Sequence, residues 1–428
     1  MAARRTQLVK LVNTIFFRGA GALSMLAVYR VITWAFAPSQ AATLFFLITL
    51  SALATPVLLE GFNAFSVKRI AILDDAAAKA RFVETTLALF LKRRAVVCAA
   101  VVAVDAAIAL AWRGWRFHTA EIVAVTALVP TFNLLGYFLQ GSGRYNTSLF
   151  VLYSCNNALL ALTIVACQLC AFDVPVGVMY LVSSALTVIV AIVLVRALFD
   201  VSARRIAATA GTARLDRDER AEAARFWLVY VTINIANWAP QLAYFALGAS
   251  SDYSYFSVAE RLANIINFFS IVPNFYLAPI IAKQHSSGEL DEMRAGFARI
   301  TRIVIALGLP VAAAIVCFPK QLLSLFGSHY AAGSVYLLVM GAAQFFNVIT
   351  GAVNTVLNMT GHERQLVRSI VIAIVCEVAC ILVLGPWLGG LGFAIAYAVN
   401  LAVQNGVASF SVYRAFGINI FRILVGLR

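Results

Sequence analysis

The chain has 428 residues, 62% of them hydrophobic and only 12% charged, with a formal net charge of +14 and a mean hydropathy of +0.89. That composition excludes a soluble globular domain and describes a membrane protein. In a soluble chain so large a positive charge would suggest nucleic acid; here its placement in the loops between apolar runs excludes that partner.

A bilayer core of about 30 Å is crossed by about 20 residues of helix, which leaves no backbone polar group unpaired. Runs of that kind predict twelve spanning helices, at 12–35, 41–64, 95–112, 119–140, 148–170, 176–198, 226–248, 253–281, 301–319, 333–357, 367–386 and 391–413. The first lacks an A-x-A-like site after a short apolar core, so it is expected to be retained and not cleaved as a signal peptide. Connections are short apart from basic segments at 65–94 and 199–225. With the amino terminus inside, Arg4, Arg5, Lys68, Arg69, Lys92, Arg93, Arg94, Arg204, Arg205 and Arg214 all fall on the cytoplasmic side. Only Arg113, Arg116 and Lys320 fall outside, and the positive-inside rule then places both termini in the cytoplasm.

The seven cysteines (Cys98, Cys155, Cys167, Cys170, Cys317, Cys376, Cys380) lie within or at the ends of spans, which is not how a disulfide framework is laid out. Cys167 and Cys170 form a lone C-x-x-C that reads as packing. His118, His285, His329 and His362 share no spacing, so neither a metal site nor a cofactor is expected.

Two halves of one design are expected. The turn LQGSGRYNTS from Leu139 matches LNMTGHERQL from Leu357, and PVGVMYLV at the start of span six matches GLGFAIAY at the start of span twelve, at nearly equal offsets. Six spans per half give both halves the same orientation, a parallel repeat. The expected organisation is an N-terminal lobe at 1–198, a cytoplasmic linker at 199–225 and a C-terminal lobe at 226–428. The fold class is all-α integral membrane, twelve helices in two pseudo-symmetric six-helix bundles.

Polar residues concentrate on particular faces. In span eight Ser257, Glu260, Arg261, Asn264, Asn267 and Asn274 fall within an arc of about 140° at 100° per residue. In span seven Tyr230, Asn234, Asn237, Trp238, Gln241 and Tyr244 fall within about 120°. Span two aligns Thr49, Pro56, Glu60 and Asn63, with Pro56 as a kink. Span one carries Arg18 and Arg30, which cannot both face the same side squarely. A charge at bilayer depth costs at least about 2.5 kcal/mol, so it is normally aimed at water, a partner or a ligand. The expected cavity lining is Arg18, Arg30, Asn63, Asn234, Asn237, Trp238, Gln241, Tyr244, Arg261, Asn264 and Asn267, with Glu60 and Glu260 as candidates for ion coupling. The bland alternative is snorkelling or internal pairing, which weighs most for Arg18 and Arg30. Asp105 and Glu377, on outer spans, are expected to be internal hydrogen-bonded partners.

The stretches YSYFSVAERLANIINFFSIVPNFYLAPIIAK, LNMTGHERQLVRS and GGLGFAIAYAV resemble the eighth helix, the turn between helices ten and eleven, and the last helix of the polysaccharide flippases. These are the O-antigen and exopolysaccharide unit translocases (Wzx-like) of the multidrug/oligosaccharidyl-lipid/polysaccharide (MOP) exporter superfamily. The resemblance covers nearly the whole chain, carried mostly by apolar and small residues. It implies a MATE-like pair of bundles in a bacterial inner membrane, a cavity lined by helices one, two, seven and eight, and alternating access. It also implies a polyprenyl diphosphate-linked glycan as substrate, membrane lipids and an H+ or Na+ coupling ion as partners, and a glycan polymerase complex downstream. Arginine forks suit phosphate oxygens, and Asn, Gln, Trp and Tyr suit sugars.

The nearest rival is an ion-coupled multidrug antiporter of the same superfamily. Span one, with two arginines and no acidic residue, favours an anionic substrate instead. A membrane enzyme is disfavoured because the outer loops are too short for a catalytic domain, and GSGR at 141–144 lacks the Lys-Ser/Thr of a phosphate-binding loop. A non-transporting scaffold is opposed only by the polar stripes. The topology is testable: an epitope tag at either terminus should react only after the inner membrane is permeabilised, and one inserted at 113–116 should react in intact spheroplasts.

Overall fold

In the computed structural model of the protein, residues 2–111, 118–209, 214–247, 250–420 and 423 are described. Every regular element among them is helical, which is the all-α membrane class the composition calls for. The chain divides into two compact units, Met1–Ala239 and Pro240–Arg428. Eight helices among the described residues are long and apolar enough to cross a membrane.

The first unit opens with α1 (Ala2–Ala35), α2 (Pro38–Leu58), α3 (Phe62–Ile72) and α4 (Ala76–Ala111). Then α5 (Thr119–Val123) continues through a π-helical turn at Ala124–Leu128 into α6 (Val129–Gly141), and α7 (Tyr145–Leu149) through a second at Phe150–Cys155 into α8 (Asn156–Leu169). Next come α9 (Val176–Phe199), α10 (Ala203–Thr209) and α11 (Arg217–Leu247), whose residues up to Ala239 belong to the first unit. The basic segments that read as connections therefore hold helices of their own, α3 and α10 among them.

The π-turn at Phe150–Cys155 widens the helix, and side chains take up a carbonyl it displaces. Tyr153 O accepts from Ser24 Oγ at 3.2 Å and from Asn157 Nδ2 at 3.0 Å. Ser24 can reach because α1 is small-sided there: a Cβ on Gly21 would stand 2.9 Å from Tyr153 Cβ. Small residues let membrane helices approach backbone to backbone.

The second predicted span is broken. Pro38 starts α2, where its missing N–H costs nothing, and Pro56 lies one turn from the end. Leu59–Gly61 then forms an elbow in which Glu60 (φ 50°) and Gly61 (φ 81°) are both left-handed. Without a side chain Gly61 takes that conformation freely, and it also admits α11. A Cβ there would stand 1.9 Å from the Ala223 carbonyl oxygen. Trp227 Nε1 donates to Val57 O at 2.9 Å, which holds the same seam from the other side.

The second unit holds α12 (Ser250–Ser286), α13 (Leu290–Cys317), the short α14 (Pro319–Ser324), and a 3-10 turn at Ser328–Gly333 that leads into α15 (Ser334–Thr350). After a break at Gly351–Ala352 follow α16 (Val353–Met359), α17 (Glu363–Leu388) and α18 (Gly390–Phe416). Part of its core is Leu277, Ile281, Phe297, Val356, Leu357, Val412 and Phe416, closed by Ile418, Ile420 and Ile423 from the segment after α18. Two arginines of α13 hold the end of α18 and the segment after it by the backbone: Arg294 Nε donates to Phe416 O at 2.7 Å and Arg302 Nε to Ile423 O at 3.3 Å.

Two glycines separate conformation from packing. Gly143 has the same φ of +81° as Gly61, but a Cβ on it would meet nothing within 4 Å. Gly143→Ala should cost only left-handed strain, about 1–2 kcal/mol. Gly61→Ala adds the collision with Ala223 and should lower the unfolding midpoint in a mild-detergent titration clearly further than Gly143→Ala does.

Candidate functional site

The richest polar arrangement lies inside the second unit. On α12, Glu260, Asn264 and Asn267 are spaced i, i+4, i+7 and share one face. That face meets two further helices that carry amides or a hydroxyl at matching heights, Gln344 and Asn347 on α15, and Tyr397 and Asn405 on α18.

Asn264 Nδ2 donates to Glu260 Oε1 at 2.8 Å. Asn264 Oδ1 accepts from Gln344 Nε2 at 2.6 Å and from Tyr397 OH at 3.3 Å, and Gln344 Nε2 also lies 2.5 Å from Tyr397 OH. Asn347 Nδ2 donates to Asn267 Oδ1 at 3.2 Å and to Gln344 Oε1 at 3.3 Å. Asn405 Nδ2 donates to Asn347 Oδ1 at 3.0 Å, and Asn354 Nδ2 of α16 reaches Asn405 Oδ1 at 3.5 Å. Amides carry both a donor and an acceptor, so they can pass a hydrogen bond from helix to helix without interruption. In a medium without water such a chain orients four helices, because an amide left out of it would face hydrocarbon.

Glu260 ends the chain. Its side chain is 4% exposed, and Oε2 lies 3.9 Å from Arg261 Nε, beyond hydrogen-bonding reach. Oε2 has no hydrogen-bond partner among the described residues. Arg261 is itself 13% exposed, on the flank of the α12 face. A second carboxylate, Asp252, takes Tyr244 OH at 2.7 Å and Tyr336 OH at 3.2 Å. Tyr244 stacks on Phe393 with ring centres 4.6 Å apart.

The residues expected from the sequence are thus distributed. Glu260, Asn264 and Asn267 belong to the network, and Tyr244 and Gln241 are buried in the second unit. In the first unit Arg30 is exposed, Asn63 is buried, and Asn234 and Trp238 are half-buried. Asn234 Nδ2 turns back to its own helix at Tyr230 O, 2.8 Å away. Glu60 does not continue the Thr49 stripe, because the elbow intervenes; its carboxylate pairs with Arg93 and Arg94 of α4. The side chains of Arg18, Asn237 and Asn274 lie outside the described ones. Asp105 accepts the His118 backbone N–H at 2.9 Å, and Glu377 accepts Asn400 Nδ2 at 2.7 Å, both of them internal partnerships. Sequence reasoning missed Gln344, Asn347, Asn354, Tyr397 and Asn405. Gln344, Asn347 and Asn354, at i, i+3 and i+10 of an apolar stretch, were the available signal.

Against known proteins, a family model described as MatE matches residues 246–383. Comparison with the curated proteins finds no sequence match. Solved structures match almost the entire chain. The inward-facing conformation of a multidrug resistance MATE family transporter of the MOP superfamily superposes with a TM-score of 0.67 at 16% identity, covering 95% of this chain and 96% of that one. Lipid II flippase MurJ in an inward closed conformation gives 0.69 at 11% identity, covering 96% and 95%. A MOP superfamily transporter from Pyrococcus furiosus, described by the reverse polarity of its binding pocket, gives 0.59 at 14%, covering 97% and 95%. The fold is that of the MATE-type transporters. It comprises twelve transmembrane helices in two bundles, the architecture expected from the hydropathy pattern.

Replacing Gln344 with Leu removes the three hydrogen bonds that join Asn264, Tyr397 and Asn347. At about 0.6 kcal/mol per side-chain bond in membrane proteins this is about 2 kcal/mol. Gln344→Leu should lower the unfolding midpoint in detergent by several degrees, and Leu382→Ala, on an exposed face, should leave it nearly unchanged.

Proposed function

We propose that the protein is a MOP-superfamily flippase that moves lipid diphosphate-linked oligosaccharide units from the cytoplasmic to the periplasmic leaflet of a bacterial inner membrane by alternating access, for polysaccharide assembly. The observation that carries this reading is the cationic bias of the polar helices. Span one has Arg18 and Arg30 and no acid, and Arg261 stands on the polar face of α12. Cations at bilayer depth are costly and suit an anionic cargo, and a forked guanidinium matches diphosphate oxygens better than a point charge does. The end-to-end likeness to a lipid II flippase supports the same class of cargo. In this reading Asn63, Asn234, Asn237, Trp238 and Gln241 contribute to the sugar-binding surface, and a glycan polymerase complex receives the exported unit.

A second reading has a specific observation in its favour. The buried Glu260 oxygen without a hydrogen-bond partner among the described residues is the kind of place a proton or Na+ completes, since hard cations prefer oxygen ligands. An ion-coupled multidrug antiporter would use such a group directly, and a flippase would use it to drive the return step. Glu60, shared by two guanidinia, is the weaker coupling candidate because its charge is already compensated.

Charge-assisted hydrogen bonds are worth about 1.5–3 kcal/mol, so Arg261→Ala should lower glycan export by about tenfold or more while the protein still inserts at normal levels. Unchanged export together with lost drug resistance would transfer the assignment to the antiporter. Unchanged export and unchanged resistance would point to a scaffold.

A further inference from the structure

The Glu60 elbow holds an arrangement that lipid-facing helices do not need for packing. Arg94 is 3% exposed. Its Nη2 meets one oxygen of Glu60 and Arg93 Nη1 meets the other. The Arg94 guanidinium lies 5.4 Å over the ring of Phe90, one turn earlier on α4, and Phe90 is braced edge-on by Phe62 with ring centres 6.3 Å apart. Arg94 Nε and Nη1 have no hydrogen-bond partner among the described residues. A buried guanidinium with two idle nitrogens is expensive unless something else takes their N–H groups.

The charge balance points the same way. Two guanidinia share one carboxylate, leaving a local charge of +1, whereas the neighbouring pairs Lys68–Glu222 and Arg69–Glu219 each match one cation to one anion. A carboxylate has two oxygens and a single charge. A diphosphate has more of both, and each idle Arg94 atom makes a bidentate phosphate-binding edge only together with Nη2, the atom Glu60 now holds, so an anion that displaces Glu60 gains such an edge. The depth also fits. Arg94 directly precedes the third predicted span and Glu60 lies near the end of the second, so both stand at the level of the lipid headgroups, on the side the positive-inside bias assigns to the cytoplasm. Glu60 holds its place through a left-handed backbone with φ of 50°, a conformation that strains a non-glycine residue.

We propose that Arg93 and Arg94 form a phosphate-binding site for the diphosphate of a lipid-linked substrate, with Glu60 as a resident counter-ion that the diphosphate displaces. The choice of a lipid-linked diphosphate as ligand rests on the flippase reading; the site itself rests on the geometry. On entry of the headgroup, Glu60 swings away and phosphate oxygens take its two contacts and the idle Nε and Nη1 of Arg94. The bilayer's own phospholipids carry phosphate at the same depth, so the test must separate the two sources.

The full-length protein in lipid nanodiscs is titrated with a polyprenyl diphosphate. Glu60→Gln, which removes the competing anion, should tighten binding about three- to tenfold. Arg94→Gln should weaken it by about tenfold or more, and the exposed Arg93→Gln should weaken it by a smaller factor. Inorganic diphosphate should compete with the probe, and phosphatidylglycerol at the same mole fraction should not. Because Glu60→Gln predicts a gain, misfolding cannot imitate it, and Arg93→Gln stands in if Arg94→Gln fails to accumulate. Wild-type affinity in all three variants would overturn the site. Equal competition by phosphatidylglycerol would overturn it in favour of bulk phospholipid. The measurement reads binding alone, so a protein that binds in this pattern and flips nothing would retain the site and lose the flippase function.

Discussion

A polar side chain inside a bilayer has no water to fall back on and must find its partner within the protein. In the second unit this constraint decides how the helices face. Asn264 and Asn267 can only turn inward, and the amides of α15 and the Tyr397 hydroxyl of α18 turn to meet them. The chain then runs through Asn347 and Asn405 to Asn354 on α16. Among the described residues both ends of the chain keep an oxygen without a hydrogen-bond partner, Asn354 Oδ1 at one end and Glu260 Oε2 at its head. The other Glu260 oxygen takes Asn264 Nδ2, so the carboxylate is joined to the whole line of hydrogen bonds through that amide.

The first unit meets the same constraint differently. Its helices use backbone devices: two π-turns, one with a carbonyl taken up by Ser24 and Asn157, and an elbow whose left-handed Glu60 and Gly61 turn the chain between α2 and α3. Gly61 lets the start of α11 pack against that elbow, and Glu60 places its carboxylate on the arginines at the start of the third span. One short segment, Leu59–Gly61, therefore sets both the packing seam and the local electrostatics.

The membrane class, the rough positions of eight of the twelve spans and the polar face of α12 were legible because each follows from a local rule: hydropathy over about 20 residues, or a 100° step per residue. What escaped lies where such rules stop. The Thr49–Glu60 alignment assumed an unbroken helix, and the two positive-φ residues at 60 and 61 break it; Pro56 announced a kink but not a new direction. Gln344, Tyr397 and Asn405 each look like a tolerated polar residue in an apolar helix. Only their meeting, across sequence separations of up to 133 residues, shows that they belong to the same network as Glu260. Ion pairing of Glu60 with Arg93 and Arg94 was hidden for the same reason, since both partners read separately as loop charge and cavity charge.

The central claim is that this chain moves a lipid-linked diphosphate sugar across the bilayer and does so through a coupling carboxylate. The most direct measurement is flipping of a fluorescent lipid-linked oligosaccharide in proteoliposomes of the purified protein, followed by loss of accessibility to an external quencher, with and without an imposed H+ or Na+ gradient. Flipping that depends on the protein and is accelerated by one of the two gradients is the predicted result, with the acceleration lost in Glu260→Gln. Proteoliposomes that flip no faster than empty ones, under either gradient, would contradict it.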